Sequence, residues 1–82
     1  MAETKIKLYG TTWCGGTRTA RQYLDMNNIE YEWTDIDQDE AAAEYVKSVA
    51  NGYRSVPTLV FPDGSILVEP STYEIKEKTK AV

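Results

Sequence analysis

Histidine is absent from this 82-residue chain, and cysteine occurs once, at Cys14. Those two scarcities remove several chemistries at the outset. A structural zinc site within one chain lacks its ligands. A nucleophile assisted by histidine is excluded. No intramolecular disulfide can form, so any redox cycle has to pass through a bond from Cys14 to another molecule. Basic charge is also scarce. Nine Lys and Arg against thirteen Asp and Glu leave a net charge of -4, and the cations are spread along the chain, so there is no electrostatic footprint for nucleic acid. Long apolar runs are missing: the longest, residues 56–61 and 66–68, fall far short of the roughly 18 residues a membrane span requires. The charged stretch 1–7 has neither the apolar segment nor the small-residue cleavage site of a signal peptide, and a cytoplasmic protein is expected.

What is present is ordinary for a globular chain: 41% hydrophobic and 27% charged residues. The length suits one domain, 1–82, without repeats or linkers. Residues 5–9 alternate polar and apolar, which predicts a strand burying Ile6 and Leu8. Residues 10–16 read as a loop, and 17–27 as a helix with Ala20, Tyr23, Leu24 and Asn27 at helical spacing, closed by Asn27 and Asn28. A second strand is expected over 29–36. Asp37 with Glu40 three residues on predicts a capping box, Asp37 as N-cap, for a helix to about residue 50 that Asn51-Gly52 stops. Its inner face would carry Ala42, Tyr45, Val46 and Val49.

Residues 58–61 and 65–69 form a hairpin around Pro62-Asp63-Gly64. Ser71 and Glu74 cap a last helix from Thr72 to about Lys80, and Pro70 separates it from the strand. The order βαβαββα predicts an α/β fold with a four-stranded mixed sheet flanked by helices: the first βαβ unit supplies a parallel pair, the hairpin antiparallel strands. Tyr9, Tyr23, Tyr45 and Trp33 are expected on core faces. The acidic stretch Asp35, Asp37, Asp39, Glu40 reads as a helix start, where carboxylates complement the helix dipole, rather than a metal site.

Cys14 lies in Thr11-Thr12-Trp13-Cys14-Gly15-Gly16-Thr17, after a strand and before a helix, where unpaired backbone N–H groups and the positive end of the helix dipole point. Such a position lowers a thiol pKa from about 8.5 to between about 3.5 and 7.5. Gly15 and Gly16 would allow close approach of a disulfide, Thr17 is spaced to donate its hydroxyl to the sulfur, and Arg18 adds positive charge nearby. The plainer alternative is an inert buried thiol. Structural cysteines, however, sit among periodic apolar residues, and this one is flanked by Gly, Thr and Trp.

A second element is Ser55-Val56-Pro57-Thr58, which alone would be only a loop end before a strand. The two elements together, with Tyr9, the TTWCG run, a following Arg, the Asp63-Gly64-Ser65 turn and Pro70-Ser71, resemble the glutaredoxins over nearly the whole chain, and among them the mycoredoxins. The resemblance implies a thioredoxin-like fold in which Pro57 is cis and faces Cys14. It implies that the Val56 backbone pairs with the cysteine portion of a low-molecular-weight thiol, while Ser71 and Thr72 hold that thiol's acidic end, a role a helix N-terminus suits. Trp13 and Arg18 would flank the bound thiol, although a Trp in such a loop is at least as often a packing cover for a helix end; Arg54 would either meet the thiol's carboxylate or stand as a solvated loop arginine.

Cys14 and Thr17 are then the catalytic pair of a monothiol oxidoreductase. It would reduce mixed disulfides between proteins and a small thiol of the glutathione or mycothiol type, acting as a monomer without a metal. Two positions depart from the family pattern. Thr17 stands where dithiol members have a second cysteine, and Thr11 where glutathione-using members commonly have lysine. The first keeps open a thiol-binding carrier or redox sensor on the same fold. An iron–sulfur carrier is disfavoured, since Cys14-Gly15-Gly16-Thr17 replaces the CGFS of such proteins.

Overall fold

Strict alternation places β1, Ile6–Gly10, at the centre of the molecule: Ile6, Leu8 and Gly10 are buried, while Lys7 and Tyr9 face the other way. The computed structural model describes residues 5–79. β1 pairs in parallel with β2, Tyr31–Asp35, and antiparallel with β3, Thr58–Val60, so that Leu8 lies between Trp33 and Leu59. β3 in turn pairs antiparallel with β4, Ile66–Val68, giving the order β2-β1-β3-β4. The mixed four-stranded sheet of the sequence reading is therefore present. In the β3–β4 turn Gly64 has φ +90°, its N–H donates to the Phe61 carbonyl at 2.8 Å, and Asp63 accepts from the Ser65 N–H at 2.9 Å.

Helices α1, Gly15–Met26, and α3, Thr72–Thr79, cover one face, where Ala20, Leu24 and Ile75 pack with Ile6, Leu8, Leu59 and Phe61. Helix α2, Glu40–Val49, covers the other: Ala42, Ala43 and Val46 pack with Ile36, and Tyr9 and Val56 close the cluster. Leu8, Leu24 and Leu59 have no exposed surface, and each contributes roughly 1.5–3 kcal/mol by leaving water.

Several boundaries differ from expectation. α1 starts at Gly15, not at residue 17, with Cys14 itself as N-cap at φ -83°, ψ 124°. β2 is shorter than 29–36, since the Ile29 N–H is taken by the Leu24 carbonyl at the end of α1 and Asn28 adopts φ +56° there. The cap of α2 is Asp39, whose carboxylate accepts from the Ala42 N–H at 3.0 Å, rather than Asp37. The chain leaves β2 through a turn, Gln38 N–H to Asp35 carbonyl, so the helix begins later than spacing alone suggested. Tyr45 is not a core residue: it is 36% exposed with its ring 5.2 Å from that of Tyr9, and α2 buries the narrower Ala42, Ala43, Val46 stripe.

The capping box of α3 forms as expected, Ser71 N–H donating to Glu74 at 2.8 Å and Glu74 N–H to Ser71 Oγ at 3.1 Å. Lys80, assigned to that helix from sequence, and residues 1–4 lie outside the described residues. No helix among the described residues is long and apolar enough to cross a membrane.

Candidate active site

β1 delivers the chain to Gly10, a turn closed by Cys14 N–H to the Thr11 carbonyl at 3.4 Å reverses it, and α1 begins one residue later. The half-buried Cys14 thiol therefore stands at the open end of α1, among N–H groups without helical acceptors. Its Sγ donates to the Val56 carbonyl at 3.7 Å, and the Val56–Pro57 peptide is cis. The two sequence elements, 42 positions apart, meet at the sulfur.

The glycines divide unequally. A Cβ on Gly16 would lie 3.2 Å from Pro57 Cδ and 3.8 Å from Cys14 Sγ, whereas one on Gly15 would meet nothing within 4 Å. Close approach at the site thus depends on Gly16, and Gly15, paired with it in the sequence reading, takes no part.

The Cys14 pKa is lowered from its ordinary value of 9.0. Burial pushes it up, and the Glu69 carboxylate adds to that. Both are outweighed by the Thr17 backbone N–H, the Thr17 hydroxyl and the Gly16 N–H, which favour the thiolate. With Cys14 as a thiol donating to Val56, the fully buried Thr17 Oγ1 has no hydrogen-bond partner, and the ionised sulfur is the acceptor it lacks. Arg18, expected to act on the sulfur, is exposed and is not among the groups that shift it; its N–H makes the ordinary helical bond to the Cys14 carbonyl.

Gly10, expected to open the loop, instead ends β1. A Cβ there would come within 2.5 Å of Thr17 Cγ2 and 2.6 Å of Thr17 Oγ1, so the bare backbone of Gly10 is what lets Thr17 sit under the sulfur.

The remaining predicted residues separate into those the fold brings together and those it leaves apart. Val56 and Pro57 are at the sulfur. The Glu69 N–H donates to the Pro57 carbonyl at 2.7 Å with Glu69 at φ +49°, which carries the start of α3 alongside the proline. Ser71, however, is engaged by Glu74 of its own helix, so the proposed anion position already faces a carboxylate, while Thr72 is exposed. Trp13 is 71% exposed, and its indole N–H donates to Asp37 Oδ2 at 2.9 Å. Arg54 donates to Asp37 Oδ1 at 2.7 Å.

Asp37 and Glu69 had no role in the sequence reading beyond helix start and strand end, and no local pattern marks either. Thr11 is 1% exposed with an unpartnered hydroxyl, so its side chain points into the protein. The hollow of about 550 Å³ lined by Arg21, Leu24 and Trp33, among others, lies towards the C-terminal end of α1 and takes no part in the site.

Comparison with known proteins extends these observations. A family model described as Glutaredoxin matches residues 6–66, which include Cys14 and Pro57. A putative glutaredoxin of Mycobacterium tuberculosis strain H37Rv is 44% identical over 78 residues, covering 95% of this chain and 93% of that protein. Mycoredoxin 1 of Corynebacterium glutamicum is 39% identical over 79 residues, covering 96% and 98%. Among solved structures, a thioredoxin-like protein matches with a TM-score of 0.77 at 27% identity, covering 89% of this chain and 97% of that one. The glutaredoxin of Archaeoglobus fulgidus matches with 0.77 at 23% identity, covering 90% and 84%, a likeness of fold.

Proposed function

The chain belongs to the glutaredoxin family, whose activity is thiol–disulfide oxidoreduction, and on that premise we propose that it is a monothiol oxidoreductase. It reduces mixed disulfides between proteins and a low-molecular-weight thiol of the glutathione or mycothiol type. The observation that carries the reading is the placement of Cys14 Sγ at the N-terminus of α1 and 3.7 Å from the Val56 carbonyl.

Writing the mixed disulfide as protein–S–S–R, the Cys14 thiolate attacks the R sulfur. The protein sulfur leaves as thiolate and takes a proton from water, and Cys14–S–S–R remains. A second RSH, as its thiolate, then attacks the R sulfur, releasing R–S–S–R and regenerating the Cys14 thiolate. The protein cysteine is reduced and two small thiols end as their disulfide. Cys14 is the nucleophile and later the leaving group. In both roles the Thr17 hydroxyl and N–H and the Gly16 N–H stabilise its negative charge.

The Val56 backbone lines the position of R beside Pro57, with Trp13 on the opposite loop; Arg18, Ser71 and Thr72 would form the outer edge. The compartment proposed is the cytoplasm, where small thiols are kept reduced, and the working unit a monomer.

The test is intact mass spectrometry of the protein after incubation with oxidised glutathione and, in parallel, oxidised mycothiol. Excess of the matching reduced thiol follows. One adduct on Cys14 that forms and then clears is expected, and Cys14→Ser should form none. If the adduct forms but persists, while Thr17→Cys turns over, the protein is a carrier or sensor and the reductase reading is wrong.

A further inference from the structure

We propose that Asp37 is a positioning residue: its carboxylate clasps the Trp13 indole and the Arg54 guanidinium, and so joins the two loops between which a disulfide must reach Cys14. The inference rests on reading Cys14 as the reactive centre.

Three segments distant in sequence converge on this one side chain. Trp13 belongs to the loop that carries Cys14, Asp37 to the loop between β2 and α2, and Arg54 to the loop that carries Pro57. The bonds are 2.9 Å to the indole N–H and 2.7 Å to the guanidinium, spanning 24 and 17 positions. They use different oxygens, Oδ2 and Oδ1, so both hold at once. Asp37 is itself held. Its N–H donates to Asp35 Oδ1 at 2.9 Å, and the N–H of its buried neighbour Ile36 donates to the Gly10 carbonyl at 2.9 Å, which fixes the β2–α2 loop to the end of β1.

Helix capping does not account for this carboxylate, because Asp39 caps α2. Burial does not account for the orientation of Trp13 either, since the residue is 71% exposed. An indole adjacent in sequence to the reactive cysteine is thus oriented by its bond to Asp37. The same two donors keep the Asp37 carboxyl below the usual carboxylate range, as a charge accepting both bonds should be.

Exposed ion pairs contribute little to folding, and the consequence here is geometric. With Asp37 in place Trp13 and Arg54 have one arrangement relative to the sulfur; without it each has many, and an incoming disulfide has to order them.

The experiment compares wild type, Asp37→Ala, Asp37→Asn and Trp13→Phe. The chain has two tryptophans, so two indole N–H signals appear in a proton–nitrogen correlation spectrum, and Trp13→Phe assigns them. The Trp13 signal should shift as acid protonates Asp37, and in Asp37→Ala it should move and lose that titration. Asp37→Asn keeps an acceptor for the indole without the charge and should fall between.

For adduct formation on Cys14 by oxidised glutathione or oxidised mycothiol, Asp37→Ala should raise the half-saturating concentration roughly two- to fivefold, the scale of one exposed charged contact. The limiting rate and the iodoacetamide rate of Cys14 should be unchanged. In a Trp13→Phe background the Asp37→Ala effect should shrink towards nothing, because the path through the indole is already cut.

An unmoved Trp13 signal in Asp37→Ala overturns the proposal. So does an equal Asp37→Ala penalty with and without Trp13. If wild type forms no adduct with either disulfide, the reductase reading falls, and the indole titration alone then decides the clasp.

Discussion

At Cys14 two opposed effects meet. Burial and the Glu69 carboxylate disfavour the thiolate, while donors from Thr17 and Gly16 favour it and prevail, so the pKa falls below 9.0. Alkylation of Cys14 should therefore reach half its plateau at lower pH than an ordinary thiol. Thr17→Val should move that midpoint upward, because the hydroxyl that favours the thiolate is gone. A midpoint unchanged by Thr17→Val would remove the hydroxyl from the account.

Linkage gives the same shift a stability signature. A group whose folded pKa is depressed contributes stability that is fully present above its unfolded pKa and lost as pH falls through the folded value. The stability of wild type relative to Cys14→Ser should therefore grow between the depressed value and pH 9. Urea midpoints of the two proteins at pH 6 and pH 10 measure this, and a constant difference would contradict it. At this scale the sequence spacing from Cys14 to Thr17 was sufficient to find the donor. It was misleading for Arg18, because spacing along a helix says nothing about whether a long side chain turns to the sulfur or to water.

The junction of β1 and α1 depends on two glycines for different reasons. Gly10→Ala would drive its Cβ to 2.5 Å from Thr17 Cγ2. It should cost about 1–3 kcal/mol, the usual penalty of overpacking, and should slow Cys14 alkylation at neutral pH as Thr17 is displaced. Adding Thr17→Ala should recover part of the stability and none of the reactivity; chemical denaturation and alkylation rates separate the two.

In the first turn of α1, Gly15→Ala should leave adduct formation unaltered and stabilise by up to about 1 kcal/mol, since Ala loses less entropy in a helix. Gly16→Ala should slow adduct formation severalfold, because its Cβ stands 3.2 Å from Pro57 and 3.8 Å from the sulfur. Equal kinetics for the two variants would refute the division. Helices and strands at this scale were legible because alternation, helical spacing and caps act over a few residues. The capping residue of α2 was missed because two aspartates competed for one position, and the turn after β2 decided between them.

Across the whole molecule, β1 is shared by two clusters on opposite faces of the sheet, through Ile6 and Leu8 on one side and Tyr9 on the other. Neither cluster can be lost without exposing the strand that serves both, so unfolding should be one transition. Leu24→Ala, in the α1 and α3 cluster, should cost about 2–5 kcal/mol, and the loss should register identically by far-ultraviolet circular dichroism and by tryptophan fluorescence, in which Trp33, packed against that cluster, changes environment on unfolding. Transitions that separate by probe would show the faces unfolding independently.

From its sequence alone this chain was bound to a mixed α/β order, to a thiol at a helix start and, for any redox cycle, to an outside partner. Those follow from residue periodicity, from the position of Cys14 and from the lack of any second thiol, all of which are local or compositional. Tertiary structure alone decided that Gly10 makes room for Thr17, that the Ser71–Glu74 cap legible in the sequence comes to lie alongside Pro57, and that Asp37 holds Trp13 and Arg54 together. The Gly10, Trp13 and Arg54 contacts join residues on different elements, and the Ser71 pairing changes meaning only when its helix is set beside Pro57. Their existence depends on how the sheet and helices stack, a distance in space that no spacing along the chain encodes.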